Sequence, residues 1–97
     1  RSTYPPIVLV HGFGIGGRYL VPLAARLGRH AHVYAPDLPG HGESDADARA
    51  LTIPELAGAL AAAMDANRLR AAIVVGHSLG GAVAAELAAA RPDLVAG

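Results

Sequence analysis

The stretch Ile73-Val74-Val75-Gly76-His77-Ser78-Leu79-Gly80-Gly81 decides how this 97-residue chain is read. Three consecutive β-branched residues, Ile73-Val74-Val75, read as a short buried strand. The run stops at Gly76. Ser78 follows two positions later, Gly80 two after that, and the Ala-rich segment from Leu79 to Ala90 has helical composition. Strand, Gly-x-Ser-x-Gly, helix is the pattern of a nucleophile elbow. A turn that sharp puts Ser78 in a strained backbone conformation with its hydroxyl clear of the chain. Side chains at positions 76 and 80 would collide across it, so both must be small. Leu79 opens the helix, so its N–H has no intrahelical acceptor and points toward whatever Ser78 attacks. The ordinary alternative is a glycine-flanked β–α turn in which Ser78 is a helix N-cap.

Bulk properties narrow the field. Ninety-seven residues suit one small domain, taken here as residues 1–97. With 53% hydrophobic residues, 16% charged residues and zero formal net charge, the composition is globular and gives no reason to expect binding to nucleic acid or to an anionic membrane. There is no cysteine, hence no disulfide frame and no thiolate metal site. No apolar run reaches membrane-spanning length and no export signal is visible, so a cytoplasmic setting is the expectation. The chain opens on Arg1 and its one Met is Met64, so a piece of a longer product is expected.

Upstream, Ile7-Val8-Leu9-Val10 is a continuous aliphatic run, as in a parallel strand covered on both faces. A glycine-rich loop, His11 to Gly17, leads into a helix from about Arg18 to Leu27, with Leu20, Leu23, Ala24 and Leu27 on one face and Gly28 as its stop. His32 to Ala35 reads as the second strand. The loop Asp37-Leu38-Pro39-Gly40-His41-Gly42-Glu43-Ser44 is dense in turn residues. Thr52-Ile53-Pro54-Glu55 is a capping box with Pro in the first turn. Its helix carries Leu56, Leu60, Ala63 and Met64 on one face and fades near Asn67. Ala71 to Val75 is the third strand, Leu79 to Ala90 the third helix, and Asp93 to Gly97 the start of a further strand. Strands alternating with helices predict an α/β fold with a parallel sheet.

The loop after the first strand has two readings. In one, glycines let the N–H groups of Phe13 and Leu79 converge on a developing oxyanion. In the other, Gly12-Phe13-Gly14-Ile15-Gly16-Gly17 is a Gly-x-Gly-x-x-Gly dinucleotide fingerprint, with Asp37 about 20 residues on as the ribose-binding acid. The second reading leaves the serine turn unexplained, and His11 intrudes between the strand and the first glycine.

His11-Gly12-Phe13-Gly14, the Asp37–Ser44 loop and Gly76-His77-Ser78-Leu79-Gly80-Gly81 occur in an order and spacing that resembles α/β-hydrolase fold enzymes of the serine esterase and lipase branch. The resemblance covers nearly the whole chain but only the N-terminal half of a family domain, a partial parallel sheet flanked by helices with the later strands missing. It implies that Ile7–Val10 lies between the other two strands. It also implies that Ser78 is the nucleophile, that Phe13 and Leu79 supply the two main-chain oxyanion donors, and that His11, Gly12, Gly76, His77 and Gly80 shape the loops. Dehalogenases and epoxide hydrolases of the superfamily carry Asp at the nucleophile position, so this sequence looks like neither. No metal or organic cofactor is called for.

A serine hydroxyl needs a base. The family supplies a His and an acid, normally after the elbow. After Ser78 this chain has Glu86 and Asp93 but no histidine. Glu86 reads as a solvated charge and Asp93 as a turn residue. His77 adjoins the serine but reads as a loop brace, as do His11 and His41, whereas His30 and His32 sit away from the elbow. The base and acid are therefore expected outside this chain, and the chain alone is expected to be inactive. Its partners would be a small acyl substrate and the remaining C-terminal part of the domain. A third reading is a non-catalytic hydrolase fragment that acts only in assembly. In an isolated 97-residue product Ile73–Val75 would be an unprotected parallel edge, and such a polypeptide is expected to aggregate, dimerise or bind the rest of its own domain.

Overall fold

Ile7–Val10 forms β1, the middle strand of a three-stranded parallel sheet in the order β2-β1-β3, with β2 at Val33–Tyr34 and β3 at Ile73–Gly76. The computed structural model describes residues 4–12, 21–29, 31–38 and 51–97. Ile7 pairs with Val33 on one side and with Ile73 on the other, and Val10 reaches Gly76 at the end of β3. Val8, Leu9 and Val10 are buried, so the unbroken aliphatic run does mark a strand covered on both faces.

The helices follow from the connections. α1 (Val21–Leu27) links β1 to β2, and α2 (Ile53–Ala66) links β2 back across β1 to β3. The two crossovers run in opposite directions along the sheet. Right-handed connections therefore put α1 on one face and α2 on the other. α3 (Leu79–Ala90) shares the α2 face, where Leu56, Leu60, Met64, Val83 and Leu87 pack with Val8 and Val10 and with the half-buried Val74.

α2 begins where its capping box predicts. The Glu55 N–H donates to Thr52 Oγ1 at 3.2 Å, and the Thr52 N–H donates to Glu55 Oε1 at 2.9 Å. Its end carries no glycine signal. Arg68 takes the left-handed conformation (φ 57°), the Leu69 N–H reaches back to the Met64 carbonyl at 2.9 Å, and the Leu69 side chain is buried. This is a Schellman closure with a non-glycine residue at its left-handed position.

The parallel sheet, the central position of β1 and the bounds of α3 match the sequence reading. The second and third strands are shorter or shifted, at Val33–Tyr34 and Ile73–Gly76. Three expectations are corrected. β3 is not a buried strand: Ile73 and Val75 are 38% and 45% exposed, because only the face bearing Val74 meets α2 and α3. α1 buries none of its residues, and Leu23 stands exposed; among the described elements the helix packs mainly against the short strand β2. Nor is the outer edge of β3 bare along its length. The last residues return beside it, with the Ala72 N–H donating to Leu94 O at 2.8 Å, Ala96 N–H to Ala72 O at 2.7 Å, and Val74 N–H to Gly97 O at 2.8 Å.

A charged fork holds that return in place. Arg91, just past α3, donates to both carboxylate oxygens of Asp65 on α2 at 3.0 Å and to Asp93 at 2.9 and 3.0 Å. The Arg91 hydrogen bonds hold both carboxyls below their ordinary value of 3.8. A carboxyl with a depressed folded-state pKa contributes stability above its unfolded pKa and loses it as pH falls through the folded value. All three groups are partly exposed, so solvent and salt screen the effect to a small one.

Three outcomes follow from this packing. Gly58 sits exposed inside α2 with nothing near the place of a side chain, so Gly58→Ala raises stability by about 0.5–1 kcal/mol in urea titration. Arg68→Gly, which relieves a left-handed residue, also stabilises, by about 1 kcal/mol. Below about pH 4 the chain loses a small increment of stability, and Arg91→Met flattens that part of its pH–stability profile.

Candidate active site

Ser78 stands between β3 and α3 with φ 59° and ψ −121°. In this region a Cβ crowds its own backbone, at a cost of about 1–3 kcal/mol. The residue is exposed, and its side chain makes no capping hydrogen bond to α3. The helix-cap alternative is thereby overturned. A serine that ends a strand, starts a helix, bears strain and caps nothing is a presented hydroxyl.

The glycines around it are required by main-chain contacts. A Cβ on Gly76 would land on the Gly80 carbonyl, and a Cβ on Gly80 would land on the Val10 carbonyl at the end of β1. The same Val10 oxygen accepts the His77 N–H at 3.0 Å. The turn is then closed by Gly80 N–H to His77 O and Gly81 N–H to Ser78 O, both at 2.9 Å. Leu79 follows, half-buried against the core, and among the described residues its N–H has no hydrogen-bond partner. That donor sits at the N-terminal end of a twelve-residue helix, next to the hydroxyl.

The loop after β1 meets this turn directly. The place of a Cβ on Gly12 is 3.3 Å from Ser78 Cβ, 3.4 Å from the His77 carbonyl oxygen and 3.5 Å from His77 Nδ1. Gly12 therefore keeps the space beside Ser78 open, and His77 flanks the same loop. Phe13, the other expected oxyanion donor, lies outside the described residues, as do Gly14, Gly17, His30 and His41.

His11 has a definite task. It is fully buried, the Leu38 N–H donates to its Nε2 at 2.8 Å, and its Nδ1 lies 2.7 Å from the Gly12 carbonyl oxygen. A main-chain N–H can only donate, so Nε2 is the acceptor and Nδ1 carries the proton toward Gly12. The ring ties the loop after β1 to the loop after β2. Both of its nitrogens are engaged, so it is not the base for Ser78. Nothing in the spacing of positions 11 and 38 announces this bridge. The signal was the presence of a polar residue directly after a buried strand.

The remaining titratable candidates stay apart from the turn. His32 is exposed at the start of β2, where its carbonyl accepts the Ile7 N–H at 2.8 Å. Asp93 is bound by Arg91 past the far end of α3, and Glu86 is half-buried within that helix. Among the described residues no group of three His, Cys, Asp or Glu side chains gathers to hold a metal. No helix there is long and apolar enough to cross a membrane.

A strained serine between a parallel strand and a helix, with glycines forced by main-chain contact, defines a class. The chain belongs to the alpha/beta hydrolase fold family, which it matches over residues 5–97. It is 41% identical over 90 residues to a pimeloyl-[acyl-carrier protein] methyl ester esterase of Xanthomonas campestris pv. campestris, covering 93% of this chain and 34% of that protein. Among solved structures it superposes on Est816, an N-acyl homoserine lactone degrading enzyme, with TM-score 0.89 and 33% identity over 97% of this chain and 36% of that one. A haloalkane dehalogenase loop variant from Bradyrhizobium elkanii follows at TM-score 0.86 and 30% identity, over 98% and 32%. The chain thus spans about a third of the length of these proteins. Family membership displaces the dinucleotide reading of the glycine-rich loop.

Gly76→Ala and Gly80→Ala each force main-chain atoms apart and destabilise by about 3 kcal/mol or more, or prevent folding. Gly81→Ala, whose new Cβ would lie 3.8 Å from the nearest oxygen, is tolerated. Urea unfolding of the three variants checks this ordering.

Proposed function

We propose that residues 1–97 carry the nucleophile half of a serine hydrolase that cleaves carboxylic esters, lactones included, through an acyl-enzyme. The observation that carries the reading is the backbone of Ser78, strained and uncapped beside the N–H of Leu79, which has no hydrogen-bond partner among the described residues. The Ser78 oxygen attacks the carbonyl carbon while a His takes its proton. The carbonyl oxygen becomes an oxyanion, received by the N–H of Leu79 and, in this proposal, by that of Phe13. The intermediate collapses, the alcohol leaves with the proton from the His, and water repeats the sequence to free the acid.

The base and its orienting acid come from outside residues 1–97, as no histidine follows Ser78 and His11 is committed to its own bridge. The chain alone is therefore inactive. Related proteins act, by their names, on a methyl ester and on an acyl homoserine lactone, and both substrates share an acyl–oxygen bond. Serine, not aspartate, at the elbow supports this chemistry over dehalogenation, although a dehalogenase shares the fold.

In a polypeptide that joins residues 1–97 to a downstream part bearing the acid and His, Ser78→Ala lowers hydrolysis of a p-nitrophenyl ester at least about 10³-fold and abolishes fluorophosphonate labelling. Residues 1–97 alone react at the background rate. Undiminished hydrolysis by the Ser78→Ala protein overturns the proposal.

A further inference from the structure

His11 is the fully buried titratable side chain among the described residues, and the serine chemistry leaves it unused. Its ring meets two main-chain groups of opposite kind. The Leu38 N–H donates to Nε2 at 2.8 Å, so Nε2 must be bare. Nδ1 lies 2.7 Å from the Gly12 carbonyl oxygen, so it must carry hydrogen. Only the neutral ring with its proton on Nδ1 meets both demands. We propose that His11 is a pH-operated link: neutral, it ties the loop leaving β1 to the loop leaving β2, and uptake of a proton unties them at Leu38. The inference concerns the two loops and stands apart from the hydrolytic reading of Ser78.

Proton uptake removes an acceptor. An imidazolium donates from both nitrogens, so Nε2–H and the Leu38 N–H then point at each other. The Nδ1 side is unaffected, as its N–H keeps the Gly12 carbonyl, and the opening falls on the β2 side. Water cannot step in while the loops stay closed, because the ring is fully buried and Leu38 is 1% exposed. A buried charge and an orphaned buried N–H are both costly. The chain avoids both by moving the segment at Leu38 off the ring and admitting water. Proton binding and opening are therefore linked: acid drives the open arrangement and base restores the closed one.

The described titratable groups on the surrounding segments are Tyr34 and Asp37 on β2 and the loop after it, Glu55 at the start of α2, His77 in the turn after β3, and Glu86 two turns into α3. Glu55 holds the Thr52 N–H. Asp37, the chain neighbour of Leu38, puts a counter-charge on the segment that moves and favours the added proton. His77 flanks the same Gly12 and, when charged, opposes it. The consequence falls at the candidate site. The place of a Cβ on Gly12 is 3.3 Å from Ser78 Cβ, so the loop that acid unties is the one beside the serine.

The test follows residues 1–97, labelled with 15N, by NMR from about pH 8 to about pH 5, the interval in which imidazole changes charge. Ring 15N shifts report which His11 nitrogen is protonated. Hydrogen exchange, corrected for its intrinsic pH dependence, reports the Leu38 N–H. At the alkaline end Nε2 is expected bare and Nδ1 protonated. As the ring takes up its second proton, protection of the Leu38 N–H falls at least tenfold, while that of the Ala72 N–H, which donates to Leu94 O within the sheet, stays level. His11→Gln supplies an amide oxygen in place of Nε2 and does not titrate, so it keeps Leu38 protection level throughout. Should that variant not fold, the unmodified chain decides alone. Leu38 protection that survives ring protonation overturns the proposal, as does the same decline in His11→Gln. A ring protonated on Nε2 at about pH 8, or neutral throughout, overturns it too. So does loss of Leu38 and Ala72 protection together, which is global unfolding and not the release of a link. None of these readouts uses Ser78, so failure here leaves the serine reading standing.

Discussion

The carbonyl group of Val10 is the fixed point of this structure. Its oxygen accepts the His77 N–H, and it leaves no room for a side chain on Gly80. The end of the central strand thus clamps the turn between β3 and α3 from both sides. Gly76 must be bare because the Gly80 carbonyl fills the space above it, and between these two pinned ends Ser78 lies at φ 59° and ψ −121°. The strain at residue 78 follows from the packing of main chain on main chain around it. The burial of β1 supports the clamp, since Val8 and Val10 sit in the core against α2 and α3 and Leu9, on the opposite face, is buried too.

The chemistry grows out of the same contact. Because β1 meets the turn at its C-terminal end, the loop leaving β1 is delivered to the proposed nucleophile, with Gly12 against Ser78. His11 then joins that loop to the one leaving β2 through Leu38. Two loops and a turn from three adjacent parallel strands meet at one edge of the sheet, where ligands of open α/β sheets bind. The proposed oxyanion donor at Leu79 arises without any special residue, as the first N–H of a helix that starts at the end of the turn.

The legible parts of this chain were those governed by short-range rules. The Gly-x-Ser-x-Gly spacing, the Thr52–Glu55 capping box and the aliphatic run of β1 are local patterns, and the structure follows each. The exposure of Ile73 and Val75 was not legible, because an apolar run looks the same whether its second face is covered or waiting. The weak burial of α1 was missed for a related reason: periodicity reports that a face is apolar, not that anything lies against it. The turn at Arg68 gave no glycine to mark it and is held by Leu69 burying itself under α2. The Arg91 fork joins residues 26 positions apart, and no local pattern connects Asp65 with Arg91. Phe13 lies outside the described residues, so its part in the site rests on the resemblance.

The claim that packing forces strain onto residue 78 is tested most directly by comparing the stability of Ser78→Gly with that of Ser78→Ala in urea titration. Glycine ordinarily lowers stability relative to alanine by adding freedom to the unfolded chain. At φ 59° and ψ −121° the balance reverses, and the account predicts that the glycine variant is the more stable by about 1–2 kcal/mol. A glycine variant equal to or less stable than the alanine variant would contradict it.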